Sequence, residues 1–326
     1  MTARQPAEWM PHEAVWIGFP SHAELWEDDL APAQEEVAAF ARAVHAGGRG
    51  ETVVLVANDD QAAETAVDLA GDAAEVTVQP FGDIWLRDTG AIVTLGPAGR
   101  RAARVGFNWW GGKEQRPGDE GVGARLAEAA GFAVDRHDWV LEGGAIDVDG
   151  AGLGVTTEQC LLNPNRNPGL SRTDIERRLA DARGVDRLLW LGDGLANDHT
   201  DGHVDNLARF VAPNRLAIPE PADDDPNTAI YADAAARAEA SGVELVRLPS
   251  PGLVEVDGAA IPASYMNFYI GNAAVVVPIY GAPNDAAAVE AVQALFPDRI
   301  AVGLRADHIL TGGGSFHCIS QQIPRA

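Results

Sequence analysis

Ala273-Ala-Val-Val-Val277 is an apolar, β-branched run of strand length, and it is soon followed by Asn284-Asp-Ala-Ala-Ala-Val-Glu-Ala-Val-Gln-Ala-Leu295, which has the alanine-rich, amphipathic make-up of a helix. Asn284 stands where it can cap that helix at its N-terminus. The pairing recurs outward from this stretch. Thr52-Val-Val-Leu-Val56, Ala91-Ile-Val-Thr94 and Leu207 to Val211 read as further strands. Helices are expected over Pro32 to Ala46, Gln61 to Ala70, Glu120 to Ala130, Ser171 to Arg183 and Ala229 to Ala240, with Ser171 and Asp174 forming a capping box. Alternating strands and helices argue for an α/β fold. The acidic stretch Pro219 to Asn227 reads as a surface loop between a strand and a helix.

The alternation carries a longer period. Asp88, Glu142, His203, Asn267 and Cys318 each sit where a strand is about to begin, at intervals of 54, 61, 64 and 51 residues. Five such units suggest an internal repeat about a common centre, towards which the five polar residues converge.

Composition narrows the class. The chain has 326 residues, 46% of them apolar, enough for a sizeable core. Acidic residues outnumber basic ones 48 to 24, for a net charge of −24, and Lys113 is the only lysine. Such a surface repels nucleic acid and anionic membranes and attracts a small cation. The first dozen residues have no apolar segment of the secretory kind, and no apolar stretch approaches the ~18 residues of a membrane span. Two cysteines, Cys160 and Cys318, are too few for a disulfide framework and suit a reducing compartment, so a cytoplasmic location is expected.

Cys318 follows three glycines in Thr311-Gly-Gly-Gly-Ser-Phe-His-Cys-Ile-Ser-Gln-Gln-Ile-Pro324, a segment able to turn tightly and to bring a thiol up to a cleft. It is the candidate nucleophile. In Asp198-His-Thr-Asp-Gly-His-Val-Asp-Asn206, strand alternation would put His203 and Asp205 on one face. The same alternation would point His317 away from Cys318, which leaves His203 as the better general acid/base. Cys160 enters an apolar run and reads as a buried small hydrophobe. A metal set of His199, His203 and Asp205, as in a metal-dependent amidohydrolase, is the alternative. The turn-forming Thr200-Asp-Gly202 between the histidines counts against the helix that set would need. Three carboxylates beside a thiol, Asp88, Glu142 and Asp205, fit a cationic substrate, and a planar guanidinium matches carboxylates two at a time.

These segments resemble the agmatine deiminase branch of the guanidine-modifying (pentein) superfamily, which also includes bacterial peptidylarginine deiminases. The resemblance rests on Pro6-Ala-Glu-Trp-Met-Pro-His12, Asp83-Ile-Trp-Leu-Arg-Asp-Thr-Gly90, Phe107-Asn-Trp-Trp-Gly-Gly112, Leu141-Glu-Gly-Gly144, Thr157-Glu-Gln-Cys-Leu-Leu-Asn-Pro-Asn-Arg-Asn-Pro168, Gly202-His-Val-Asp-Asn206, Ser264-Tyr-Met-Asn-Phe268 and Gly312 to Gln322. It implies a five-bladed, pseudo-symmetric α/β propeller forming one catalytic domain over residues 1–326. It also implies hydrolytic deimination of agmatine to N-carbamoylputrescine and ammonia, on a route to putrescine, through a covalent amidino-cysteine intermediate.

The roles implied are Cys318 as nucleophile, His203 as general acid/base, Asp88 and Asp205 on the guanidinium nitrogens, and Glu142 orienting His203. Asn267 and Trp85 would lie beside the substrate. No metal or organic cofactor is implied, and a homo-oligomer is common in the family. Two departures bear on the substrate. His199 stands where some agmatine deiminases carry an acidic residue that holds the distal ammonium, and the loop after Trp109-Trp-Gly-Gly112 is shorter than in many relatives. Another small guanidine compound or an arginine derivative is therefore the alternative substrate.

Overall fold

The computed structural model describes residues 3–256 and 258–326. Five small sheets share one pattern, in which an antiparallel pair of strands is extended by a parallel third. Ile92–Gly96 pairs with Gly99–Gly106 and then Ala133–Val140; Ile146–Val148 with Leu153–Thr157 and then Arg187–Leu191. Arg209–Ala212 pairs with Arg215–Glu220 and then Glu244–Pro249; Tyr269–Ile270 with Ala274–Ile279 and then Ile300–Arg305. The remaining sheet joins the chain's two ends. Ser320–Pro324 lies antiparallel to His12–Gly18, which continues in parallel to Thr52–Ala57 and Glu75–Val78.

Parallel neighbours cannot be joined by a tight turn, so each parallel pair needs a crossover. Helices supply them: Leu30–His45 and Asp60–Ala70 in the end-joining sheet, then Asp119–Ala129, Arg172–Arg183, Thr228–Ala240 and Asp285–Leu295. The α/β reading and all six helices therefore stand, with ends shifted by a residue or two. The Ser171–Asp174 capping box is present. Asn284 does not cap its helix; its amide donates to the Ser250 carbonyl at 2.9 Å, while Asp285 accepts from Gly281 N at 2.8 Å. Nor is Pro219 to Asn227 wholly a surface loop. Pro219 belongs to a strand, and Asp225 and Asn227 are buried, Asn227 accepting from Ala196 N at 2.8 Å.

The helix Leu30–His45 shows how packing places the site. Val37, Phe40, Ala41 and Val44 form its fully buried stripe. Phe40 stacks on Phe316 with ring centroids 4.7 Å apart and meets Tyr269 edge-on at 5.6 Å. Phe316 lies two residues before Cys318, so this contact anchors the turn that carries the thiol. Among the described residues, no helix is long and apolar enough to cross a membrane.

Truncating the aromatic anchor tests its weight. Phe40→Ala is expected to cost about 3–5 kcal/mol of stability, read by urea denaturation, because it leaves a cavity against both Phe316 and Tyr269.

Candidate active site

Asp88, Glu142, His203, Asn267 and Cys318 each stand just ahead of the first strand of one of the five sheets, and all five converge on one buried cluster. Asn267 Nδ2 donates to Cys318 Sγ at 3.0 Å, and Asp88 Oδ2 lies 3.7 Å from His203 Nδ1. Acceptor or donor atoms of Glu142 and His203 lie within 4.8 Å of one another. Gly144 marks the meeting point. Its N–H donates to Asp88 Oδ1 at 2.9 Å, and a Cβ there would lie 2.6 Å from His203 Nδ1 and 3.0 Å from Asp205 Oδ2.

Cys318 is 7% exposed and sits in a turn rather than an extended segment. The preceding glycines act as expected. Gly313 has φ +104°, and a Cβ on Gly314 would lie 2.9 Å from Cys318 Cβ and 2.7 Å from the Trp85 ring. Asn267 Oδ1 accepts from both His317 N and Cys318 N, which fixes the turn from below. Burial pushes the Cys318 thiol well above its ordinary range, and the charges of Asp205 and Asp88 push it further.

Two local expectations are corrected. His203 and Asp205 do not alternate along a strand: residues Val204–Asn206 form a 3₁₀ turn, and the strand begins only at Arg209. The turn still delivers both side chains to the cluster. His317 and Cys318 do not point to opposite faces either. Both reach Asp205 Oδ2, His317 Nδ1 at 2.7 Å and Cys318 Sγ at 3.6 Å. His317 is nevertheless no free base, since its Nε2 faces Glu8 Oε2 at 2.9 Å and each ring nitrogen is thereby engaged.

His203 is 1% exposed, and neither ring nitrogen has a hydrogen-bond partner. Burial opposes its charging, but the Asp88 charge, with Cys160 and Glu142, outweighs burial and holds its pKa well above the imidazole range. Asp88 accepts from Trp110 Nε1 at 2.9 Å as well as from Gly144; burial raises its pKa against the pull of His203. For Asp205, burial acts upward, yet the hydrogen bond and charge of His317 hold it below the carboxylate range. Asp205 Oδ1 and Glu142 Oε2 are buried without partners.

Sequence reasoning missed the supporting ions. Glu142 Oε1 accepts from Arg166 Nε at 2.6 Å, and Arg166 also donates to the Thr200 carbonyl at 2.7 Å and to Asp201. Glu8 accepts from Arg209 Nη2 at 2.9 Å and from Ile270 N at 2.8 Å, beneath His317. The signal available was Asn163-Pro-Asn-Arg-Asn-Pro168, a polar stretch following an apolar run. Cys160 is fully buried as expected, but it borders Glu142 and His203 as well as apolar neighbours. His199 does not join a metal set with His203 and Asp205; the only such cluster among the described residues is Glu142, Cys160 and His203.

A cleft of about 460 Å³ adjoins this cluster, with Trp26, Trp85, His199 and Trp110, the donor to Asp88, in its wall. Trp85 is held by its Nε1 donating to Asp83 at 2.8 Å. Acidic residues Glu27, Asp28, Asp29, Asp83 and Glu114 also line it, against one basic residue, Arg116. His199 packs edge-on to Trp110 at 6.0 Å, and its backbone carbonyl accepts from Lys113 Nζ at 2.7 Å. Burial lowers its pKa, against the pull of Asp198, so it faces the cleft as a neutral ring near pH 7.

The fold, together with a cysteine, a histidine and carboxylates gathered at the starts of five sheets, places the chain among the guanidine-modifying α/β proteins. The chain belongs to the Porphyromonas-type peptidyl-arginine deiminase family, whose model matches residues 4–324. It is similar to the agmatine deiminases of Pseudomonas aeruginosa (38% identical, covering 98% of this chain and 95% of that one) and Stutzerimonas stutzeri (37%, 98% and 95%). Among solved structures it is similar to an agmatine deiminase of Enterococcus faecalis, with a TM-score of 0.92 and 34% identity, covering 99% of this chain and 96% of that one. A cysteine-to-serine variant of the C. jejuni agmatine deiminase with substrate bound gives 0.93 and 28%, covering 100% and 97%.

Two measurements test this electrostatic arrangement. In the free protein Cys318 should be a protonated thiol at neutral pH, so its alkylation by iodoacetamide, followed by mass spectrometry of its peptide, should be slow and still accelerating above the ordinary thiol value of 9.0. Gly144→Ala should leave the fold intact by circular dichroism yet lower kcat/KM about 100-fold, because the methyl displaces His203 from Asp88.

Proposed function

We propose that this protein hydrolyses agmatine to N-carbamoylputrescine and ammonia. The observation that carries the reading is a buried thiol, Cys318, beside Asp205, in a cluster that also gathers Asp88, His203 and Glu142, with acceptor oxygens on Asp205 and Glu142 left unpartnered. Such a cluster has carboxylate oxygens to spare for a further cation. A guanidinium supplies one, in a planar shape whose N–H groups meet two carboxylates at once.

In the reaction, Asp88 and Asp205 accept from the guanidinium nitrogens and aim its carbon at Sγ. The substrate's charge offsets that of the carboxylates and favours the Cys318 thiolate, which the free site disfavours, the thiol proton passing to solvent as substrate binds. The thiolate adds to the carbon, and His203, held protonated by Asp88, gives its proton to the departing nitrogen, which leaves as ammonia. The resulting amidino-thioether is opened by a water that the now neutral His203 deprotonates. The ureido product leaves and the thiol is restored. Glu142, pinned by Arg166, orients His203, and Asn267 steadies Sγ.

The acidic lining of the cleft favours agmatine over free arginine, since it attracts a distal ammonium and repels an α-carboxylate. The neutral His199 leaves that attraction to the carboxylates at the cleft mouth. The five sheets form the blades of a propeller within one catalytic domain; in support, each contributes one residue of the cluster, and the pairing of Ser320–Pro324 with His12–Gly18 joins the chain's ends. Two free thiols suit a cytoplasmic setting.

Incubation with agmatine should release ammonia and a ureido product, with kcat/KM at least about 100-fold above that for arginine. Cys318→Ala should show no turnover, and His203→Gln should lose about 10²–10⁴-fold. Turnover in Cys318→Ala would overturn the mechanism; preference for another guanidine would overturn the substrate alone.

A further inference from the structure

We propose that Cys160, His203 and Glu142 form a binding site for a thiophilic divalent cation, Zn²⁺ or Cd²⁺, and that its occupation withdraws His203 from the active site. The three side chains come from separate segments: the short helix Glu158–Leu161, the residue ahead of the 3₁₀ turn Val204–Asn206, and the residue ahead of Gly143–Ala145. One donor atom from each lies within 4.8 Å of the others. A tetrahedral ion with bonds of about 2.0–2.3 Å to nitrogen, oxygen and sulfur draws its ligands somewhat closer than that, a contraction within the reach of rotamer adjustment.

The donors are also available. Glu142 Oε2 and both nitrogens of His203 are buried without a hydrogen-bond partner, while the other Glu142 oxygen is held by Arg166 and so keeps the carboxylate fixed. Sulfur, imidazole nitrogen and carboxylate together prefer Zn²⁺ or Cd²⁺ over Mg²⁺ or Ca²⁺. The surrounding charge is of both signs, with Asp88 Oδ2 3.7 Å from His203 Nδ1 and Arg166 Nε 2.6 Å from Glu142 Oε1, so the donor set rather than the field selects the ion. Binding expels the Cys160 proton and the proton that His203 carries in the free site, both to solvent, and leaves a fourth position for water. The site thus gives Cys160 a chemical role that its apolar neighbours, Leu161 and Ile175, do not share.

The test uses the full-length Cys318→Ala protein, in which Cys160 is the only thiol, and needs no turnover, so its outcome is independent of the agmatine reading. Titration with Cd²⁺ should give a near-ultraviolet thiolate-to-metal absorption band saturating at one ion per chain. Adding Cys160→Ser or, separately, Cys160→Ala should abolish the band, and Glu142→Gln should weaken binding at least about tenfold. Mg²⁺ in excess should not displace the ion. Absence of the band in folded Cys318→Ala protein, or its persistence after Cys160 is replaced, would overturn the proposal.

Discussion

Asp205, a carboxylate with no exposed surface, holds the site together. It receives His317 at 2.7 Å, stands 3.6 Å from the Cys318 sulfur and keeps one oxygen unpartnered. A buried carboxylate persists as an anion only when cations or donors answer it. His317 provides that answer, and His317 is in turn answered by Glu8, and Glu8 by the buried Arg209. This relay runs from the N-terminal segment, through the sheet beginning at Arg209, to the last turn of the chain.

The opposite side of the cluster is built on a second ion pair, Glu142 with Arg166, both without exposed side-chain surface. The two relays leave different residues unsatisfied. Around the thiol and His203 the unpartnered atoms are Asp205 Oδ1, Glu142 Oε2 and both His203 nitrogens. Each such atom costs about 1–3 kcal/mol when buried. The two carboxylate oxygens among them are a tension that a guanidinium relieves by donating its N–H groups.

Much of this was legible in the amino-acid order. The spacing of Asp88, Glu142, His203, Asn267 and Cys318 reflects five copies of one strand-entry geometry, and local patterning reports that faithfully. Period-two reasoning failed for His203 with Asp205 and for His317 with Cys318, because both segments are turns that end before the strand begins. Asn284 failed as a cap because a tertiary partner, the Ser250 carbonyl, competes for its amide. Glu8 and Arg209 carry no local sign of their roles, and the polar stretch around Arg166 does not name its partner, since what calls for all three is a charge buried elsewhere in the chain.

The sequence by itself determined the α/β alternation, the repeat, the thiol behind three glycines and the preference for a cation, because each depends on short-range pattern or on composition. Only the tertiary structure decided which imidazole is free and which is locked, and that Cys160 borders His203. It also decided that His199 faces the cleft uncharged. Those outcomes depend on burial and on charges brought together from distant segments, and protonation follows the surroundings of a group rather than its neighbours in sequence.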